Sequence, residues 1–147
     1  MALLNYTTKI DADKTAQEIA KELSMHGAKA VLTEYDEKTG TVVAISFKIK
    51  IGEAEMGFRL PCDWKPVFHI LQNDPKVPRT NKDQAQAVRT SWRIVKDWVE
   101  AQMALVETKM VTTQQVFLPY VVMKDQRTLS EHIGENPNFL LGDGNPS

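Results

Sequence analysis

At 147 residues the chain has the length of one domain, and 42% hydrophobic with 25% charged residues is the composition of an ordinary globular protein. Its one cysteine, Cys62, excludes an intramolecular disulfide and suits a reducing compartment. A net charge of −1 with a pI near 6.3 excludes a global basic field, so contact with nucleic acid has to come from a local patch. The opening MALLNYTTKIDADK has no apolar signal core, and no run reaches the roughly 18 apolar residues of a membrane span, so a cytoplasmic protein without membrane contact is expected.

In chain order, Leu4, Tyr6, Thr8 and Ile10 alternate with Asn5, Thr7 and Lys9 and predict a first strand. Asp11 or Asp13 then caps a helix with the buried stripe Ala16, Ile19, Ala20 and Leu23, which Gly27 ends. Residues 28–35 read as a second strand, closed by the polar turn 36–40. In TVVAISFKIKI, Val43, Ile45, Phe47, Ile49 and Ile51 face one way, while Ser46, Lys48 and Lys50 face the other. Gly52 and Glu53 turn the chain into AEMGFRL, where Ala54, Met56, Phe58 and Leu60 oppose Glu55, Gly57 and Arg59. The product is a β-hairpin with one apolar and one charged face. Pro61 breaks the sheet, Asp63 caps a short helix through Leu71 with Pro66 in its first turn, and 73–81 is a loop.

The stretch 82–110 is the organising element, with Thr80 or Asn81 as its expected cap. No Gly or Pro interrupts it, and Val88, Trp92, Val95, Val99, Met103, Val106 and Met110 share one helical face. Ile94, Trp98, Ala101 and Leu105 form a second stripe, which faces either this fold or a twin subunit. Beyond it, Thr112 and Gln115 have capping-box spacing for a brief helix that Pro119 stops. Residues 120–123 read as a strand and 129–133 as a short turn. A domain over 1–133 is thus followed by a Gly-, Pro- and Asn-rich tail, 134–147, expected to be mobile. Within it Phe139, Leu140 and Leu141 are either a clip onto the core or a plug for a partner. The whole reads as an α+β domain, an antiparallel sheet (β-α-β-β-β) covered on one face by the first helix and the long one.

Chemistry is sparse. Cys62 has His26, His69 and His132 as formal partners, without an oxyanion signature, and a lone Cys after a strand is usually a small buried hydrophobe. His132, Glu131 and Asp125 lack a recognised zinc spacing, and the seven glycines form no phosphate loop. No catalytic constellation, metal site or cofactor is therefore expected. Two basic sets remain. Arg79, Lys82, Arg89, Arg93 and Lys96 lie before and along the long helix, and Lys9, Lys48, Lys50 and Arg59 lie on the non-core side of the sheet. Either set has the positive donors that phosphates need, and either is equally well a solvated face. Trp92 and Trp98 belong to the apolar arc, whereas Trp64 is a core or cap residue or else a half-exposed interface anchor.

The strings SWRIVKDWVEAQMALVETKM and QVFLPYVV, with the opening NYTTKIDADKTAQEIAKELSMHGAKAV, FRLP at 58–61 and FLLG at 139–142, resemble an uncharacterised family of small bacteriophage and prophage proteins. The resemblance implies a phage protein acting in the bacterial cytoplasm and carries no activity or site residue with it. The expected function is a non-enzymatic binding protein associated with nucleic acid, of single-strand-binding or annealing type. The alternative is an inhibitor that binds a host protein or sequesters a nucleotide signal of host defence.

Overall fold

Strand formation begins at Ala28, after a helix and not before it. The computed structural model describes residues 2–142, and within them the order is α1 (Ala12–Met25), β1 (Ala28–Tyr35), β2 (Val42–Ile51), β3 (Ala54–Pro61), α2 (Lys65–Asn73), α3 (Gln84–Glu107), α4 (Thr113–Val116) and α5 (Leu129–Glu135). The fold is α+β, with a three-stranded antiparallel sheet in the order β1-β2-β3. Gly52, at φ 62°, supplies the left-handed turn that joins β2 to β3. From there the register runs without a slip, from Ile51 opposite Ala54 to Ala44 opposite Pro61.

The pairs Ile45–Leu60, Phe47–Phe58 and Ile49–Met56 lie on one face of this register. That face forms the core with Ile19 and Leu23 of α1 and Trp92, Val99 and Met103 of α3. Phe47 stacks on Phe58 with centroids 5.2 Å apart, and Phe117 meets Phe47 edge-on. Trp92 adds a buried hydrogen bond, its Nε1–H donating to the Val42 carbonyl at 3.0 Å. α1 and α3 therefore cover one side of the sheet, as the alternation of apolar residues requires.

Four expectations need correction. Residues 4–10 form no strand: Asn5 turns into the left-handed region at φ 64°, and side chains of α3 take the backbone carbonyls that a neighbouring strand would have taken. Gln86 Nε2 donates to Tyr6 and Thr8 carbonyls at 2.8 and 2.9 Å, and Thr90 Oγ1 to that of Asn5 at 3.2 Å. The cap of α3 is Asp83, whose carboxylate accepts from Gln86 N–H at 2.7 Å. Thr80 and Asn81 are spent in a 3₁₀ turn, Arg79–Asn81, two residues earlier than the helix can begin. Asp11 precedes α1 without any side-chain cap bond.

Residues 120–123 make only isolated bridges, Phe58 to Val121 and Val122 to Thr128, because Val122 N–H takes the Gly57 carbonyl at 2.8 Å and the chain then turns away. Thr112 does form the expected capping box with Gln115, and Thr128 forms a second with Glu131 at the start of α5. In the tail, the Phe139 ring stacks on His132 at 5.2 Å, while Leu140 and Leu141 are exposed. Residues 143–147 of the tail lie outside the described residues.

Candidate functional site

The helix-borne basic set is divided by its surroundings. Arg79 is exposed in its 3₁₀ turn, and Lys82 Nζ reaches the Gln72 carbonyl at 3.4 Å. Arg89 donates from Nη2 to Gln86 Oε1 at 2.7 Å, and its buried Nε has no partner among the described residues. Arg93 and Lys96 turn inward against α1. Arg93 Nη1 donates to Glu18 Oε2 at 2.6 Å, and Lys96 Nζ lies 3.9 Å from the same oxygen while pairing with Glu100. Both side chains are only 15% exposed. The spacing of Arg93 and Lys96 matches one helix face, but that face meets α1, so their charges serve the α1–α3 contact.

The sheet-borne set shows a different arrangement. Ala30, Leu32 and Glu34 of β1, Ser46, Lys48 and Lys50 of β2, and Glu55, Gly57 and Arg59 of β3 lie on the side away from α1 and α3. Arg59 is engaged there: its Nε–H donates to Glu34 Oε2 at 3.0 Å, and Ser46 Oγ–H donates to the same oxygen at 3.1 Å. Lys29 pairs with Glu55. Lys48 and Lys50 are exposed and have no hydrogen-bond or ion-pair partner among the described residues. Lys9 is exposed in the N-terminal segment and is no part of the sheet.

A cavity of about 410 Å³ opens on this face, lined by Ala30, Leu32, Ser46, Lys48, Gly57 and Val122 among others. Two small residues make it. Gly57 has no side chain, and a Cβ built there meets only Val122 Cβ, at 3.9 Å. Ala30, directly opposite Lys48 in the register, leaves the lysine's flank open. Leu32 stands on the rim, 63% exposed. The result is an apolar depression lined by Lys48, with Lys50 two residues further along the same strand face. The two phenylalanines that line it, Phe47 and Phe58, are buried in the core, and none of the nine residues on this face is aromatic.

A larger cleft, about 470 Å³, lies between the starts of α1 and α3 and the end of the β1–β2 turn. Its charges are mixed, with Asp11 and Asp13 facing Arg89.

The candidate reactive groups are quiet. Burial, with Asp63 nearby, pushes the Cys62 thiol up to about 12, far from the thiolate a nucleophile needs. His132 Nε2 lies 2.9 Å from Asp125 Oδ2, while Glu131 is turned into the Thr128 capping box, so the three do not converge on one point. Sequence reasoning found Lys48, Lys50 and Arg59 but missed Gly57, Leu32 and Val122. A glycine inside an otherwise regular strand is the one signal that pointed there, since such a residue often marks close approach by another chain or ligand.

Comparison with models of known protein families, with curated proteins and with solved structures finds no match to this chain.

Proposed function

We propose that this chain is a binding protein rather than an enzyme, and that its working surface is the uncovered face of the sheet. Its partner is a protein segment that places an aliphatic side chain in the depression and carboxylates against Lys48 and Lys50. The observation that carries this reading is the juxtaposition of an apolar floor with Lys48, which has no hydrogen-bond or ion-pair partner among the described residues, and with Lys50 next along the same strand face. Oriented cations select the sign of the partner, and the desolvated pocket holds its anchor. The likeness to small phage proteins makes a host protein of the bacterial cytoplasm the natural source of that segment.

Nucleic acid is the second reading, favoured by the same two lysines lying two residues apart on one strand face, where both can meet one phosphate backbone. Against it, the face lacks the aromatic platforms on which unpaired bases stack.

Selection of random 12-residue peptides on the purified protein separates the readings. Peptides pairing an aliphatic residue with Asp or Glu are expected, and their binding should fall at least tenfold on Gly57→Val, which fills the depression. Enriched peptides that bind Gly57→Val and Lys48→Glu/Lys50→Glu as well as the parent protein would remove the proposal. A labelled oligonucleotide bound with a steep salt slope, and lost in the double lysine variant, would move it to nucleic acid.

A further inference from the structure

The two edges of the sheet are not equivalent. On the β3 edge, Val122 N–H occupies the Gly57 carbonyl and the chain through Thr128 lies alongside. On the β1 edge the backbone is free. Cys62 N–H bonds the Val43 carbonyl, and the alternation of antiparallel bonding carries this orientation to Ile45 and Phe47, which face β3. The even-numbered residues of β2 consequently turn to β1, where Ser46 and Lys48 lie opposite Leu32 and Ala30. Val31 and Thr33 are left pointing their N–H and C=O groups outward, and no partner takes them among the described residues. Free strand edges of this kind are templates for pairing with another chain.

We propose that the occupant of this edge is a second copy of the same chain, with β1 pairing antiparallel to β1 about a two-fold axis at Leu32. Three observations converge on that register. A two-fold perpendicular to the sheet keeps both helical layers on one side, so paired residues must share a face. Leu32 opposite Leu32 of the second copy meets this condition, and it buries a side chain now 63% exposed. Val31 then faces Thr33 of the other copy, so that the outward backbone groups satisfy each other.

Charge fits as well. The same register sets Glu34 of one copy, whose Oε2 stays with Arg59 and Ser46, beside Ala30 of the other, whose small side chain leaves the second carboxylate oxygen a path to Lys48 directly across β2. The like-charged alternatives do not arise, because β1 carries only Lys29 and Glu34. Pairing makes one continuous six-stranded sheet with both depressions and both Lys50 side chains open on a single face. The inference goes beyond the proposed function and stands without it, since it rests on the free backbone of the edge, although Ala30, Leu32 and Lys48 also line the depression.

The test uses the full chain. Sedimentation equilibrium should give twice the 16.6 kDa chain mass at tens of micromolar, and Leu32→Lys, a change at an exposed side chain, should return the monomer with an unaltered circular dichroism spectrum. Under mild oxidation Leu32→Cys should form a covalent dimer, because directly opposite residues in a non-hydrogen-bonded pair have Cα atoms about 4.5 Å apart. Ala30→Cys, offset from its own copy by four residues, should not. A monomeric parent chain at that concentration overturns the proposal. So does a dimer that survives Leu32→Lys and cross-links through a cysteine at Leu105 on the second stripe of α3.

Discussion

His26 shows how one side chain ties two helix ends together. Its Nδ1 lies 2.8 Å from the Glu22 carbonyl and its Nε2 lies 2.8 Å from Glu107 Oε1. Both neighbours accept, so the ring satisfies both at once only as the doubly protonated imidazolium. The Glu22 carbonyl and the Glu107 carboxylate accordingly raise its pKa above the ordinary 6.5, outweighing burial. A group whose pKa is raised in the folded state stabilises that state fully below its unfolded value. This stabilisation should be present below about pH 6.5 and fade as pH rises through the folded-state pKa. Urea midpoints measured between pH 5 and 9 should show that decline, and His26→Gln should flatten it. At Trp92 the expected effect is larger. Trp92→Phe leaves the buried Val42 carbonyl without its indole donor and should cost about 1–3 kcal/mol, while Trp92→Ala adds a cavity and should cost about 3–5 kcal/mol. Chemical denaturation of the two variants checks the order.

Among elements, α3 carries most of what could be read in advance. Val88, Trp92, Val99 and Met103 are buried as their spacing required, while Met110 falls beyond the helix end and is 70% exposed. The second stripe divides: Trp98 packs edge-on against Phe117 and Tyr120, and Ala101 is exposed. Boundaries were less legible than faces. Asp83 outcompetes Thr80 and Asn81 as cap because Pro78 directs them into a separate 3₁₀ turn, a choice local composition does not disclose. Asp83→Ala should therefore cost about 1 kcal/mol, and the same change at Asn81 should leave the cap bond untouched; thermal unfolding of the pair distinguishes them. The α1–α3 contact was invisible for another reason. Arg93 and Lys96 look like a solvent stripe until Glu18 arrives from a helix some 75 residues earlier. Glu18→Gln is expected to destabilise the fold by about 1 kcal/mol, with the loss shrinking in high salt.

For the whole molecule, the decisive fact is asymmetry: helices cover one face of the sheet, and a bridging segment guards one edge. The hairpin β2–β3 was legible in its register and, from Ile45 to Leu60, in its faces, since alternation and the Gly52 turn dictate both. At its two ends the expectation failed, for Val42 and Ala44 are buried in place of Val43, and Ala54 is exposed. The depression was not, because it depends on Val122 coming back to Gly57 across 65 positions of chain. Among the described residues no helix is long and apolar enough to cross a membrane. Gly57→Val should leave stability equal to or above that of the parent, as a β-branched residue replaces glycine in a strand with only Val122 nearby. A fall in the thermal midpoint on this change would mean that the depression is needed for folding rather than for binding.

The N-terminal segment carries one more implication. Gln86 is 3% exposed, and both of its amide hydrogens are committed to carbonyls ahead of α1. Glutamate has nearly the same volume and outline, and one of its oxygens would keep the Arg89 guanidinium, yet the other would present an oxygen to the Tyr6 and Thr8 carbonyl oxygens. In the genetic code every glutamine codon becomes a glutamate codon by changing its first base alone. A single base change thus reaches a substitution that no change in size would betray and that takes from the Thr8 carbonyl its donor on α3, leaving the segment held through Asn5 and Tyr6 by Asp97, Thr90 and Asn81.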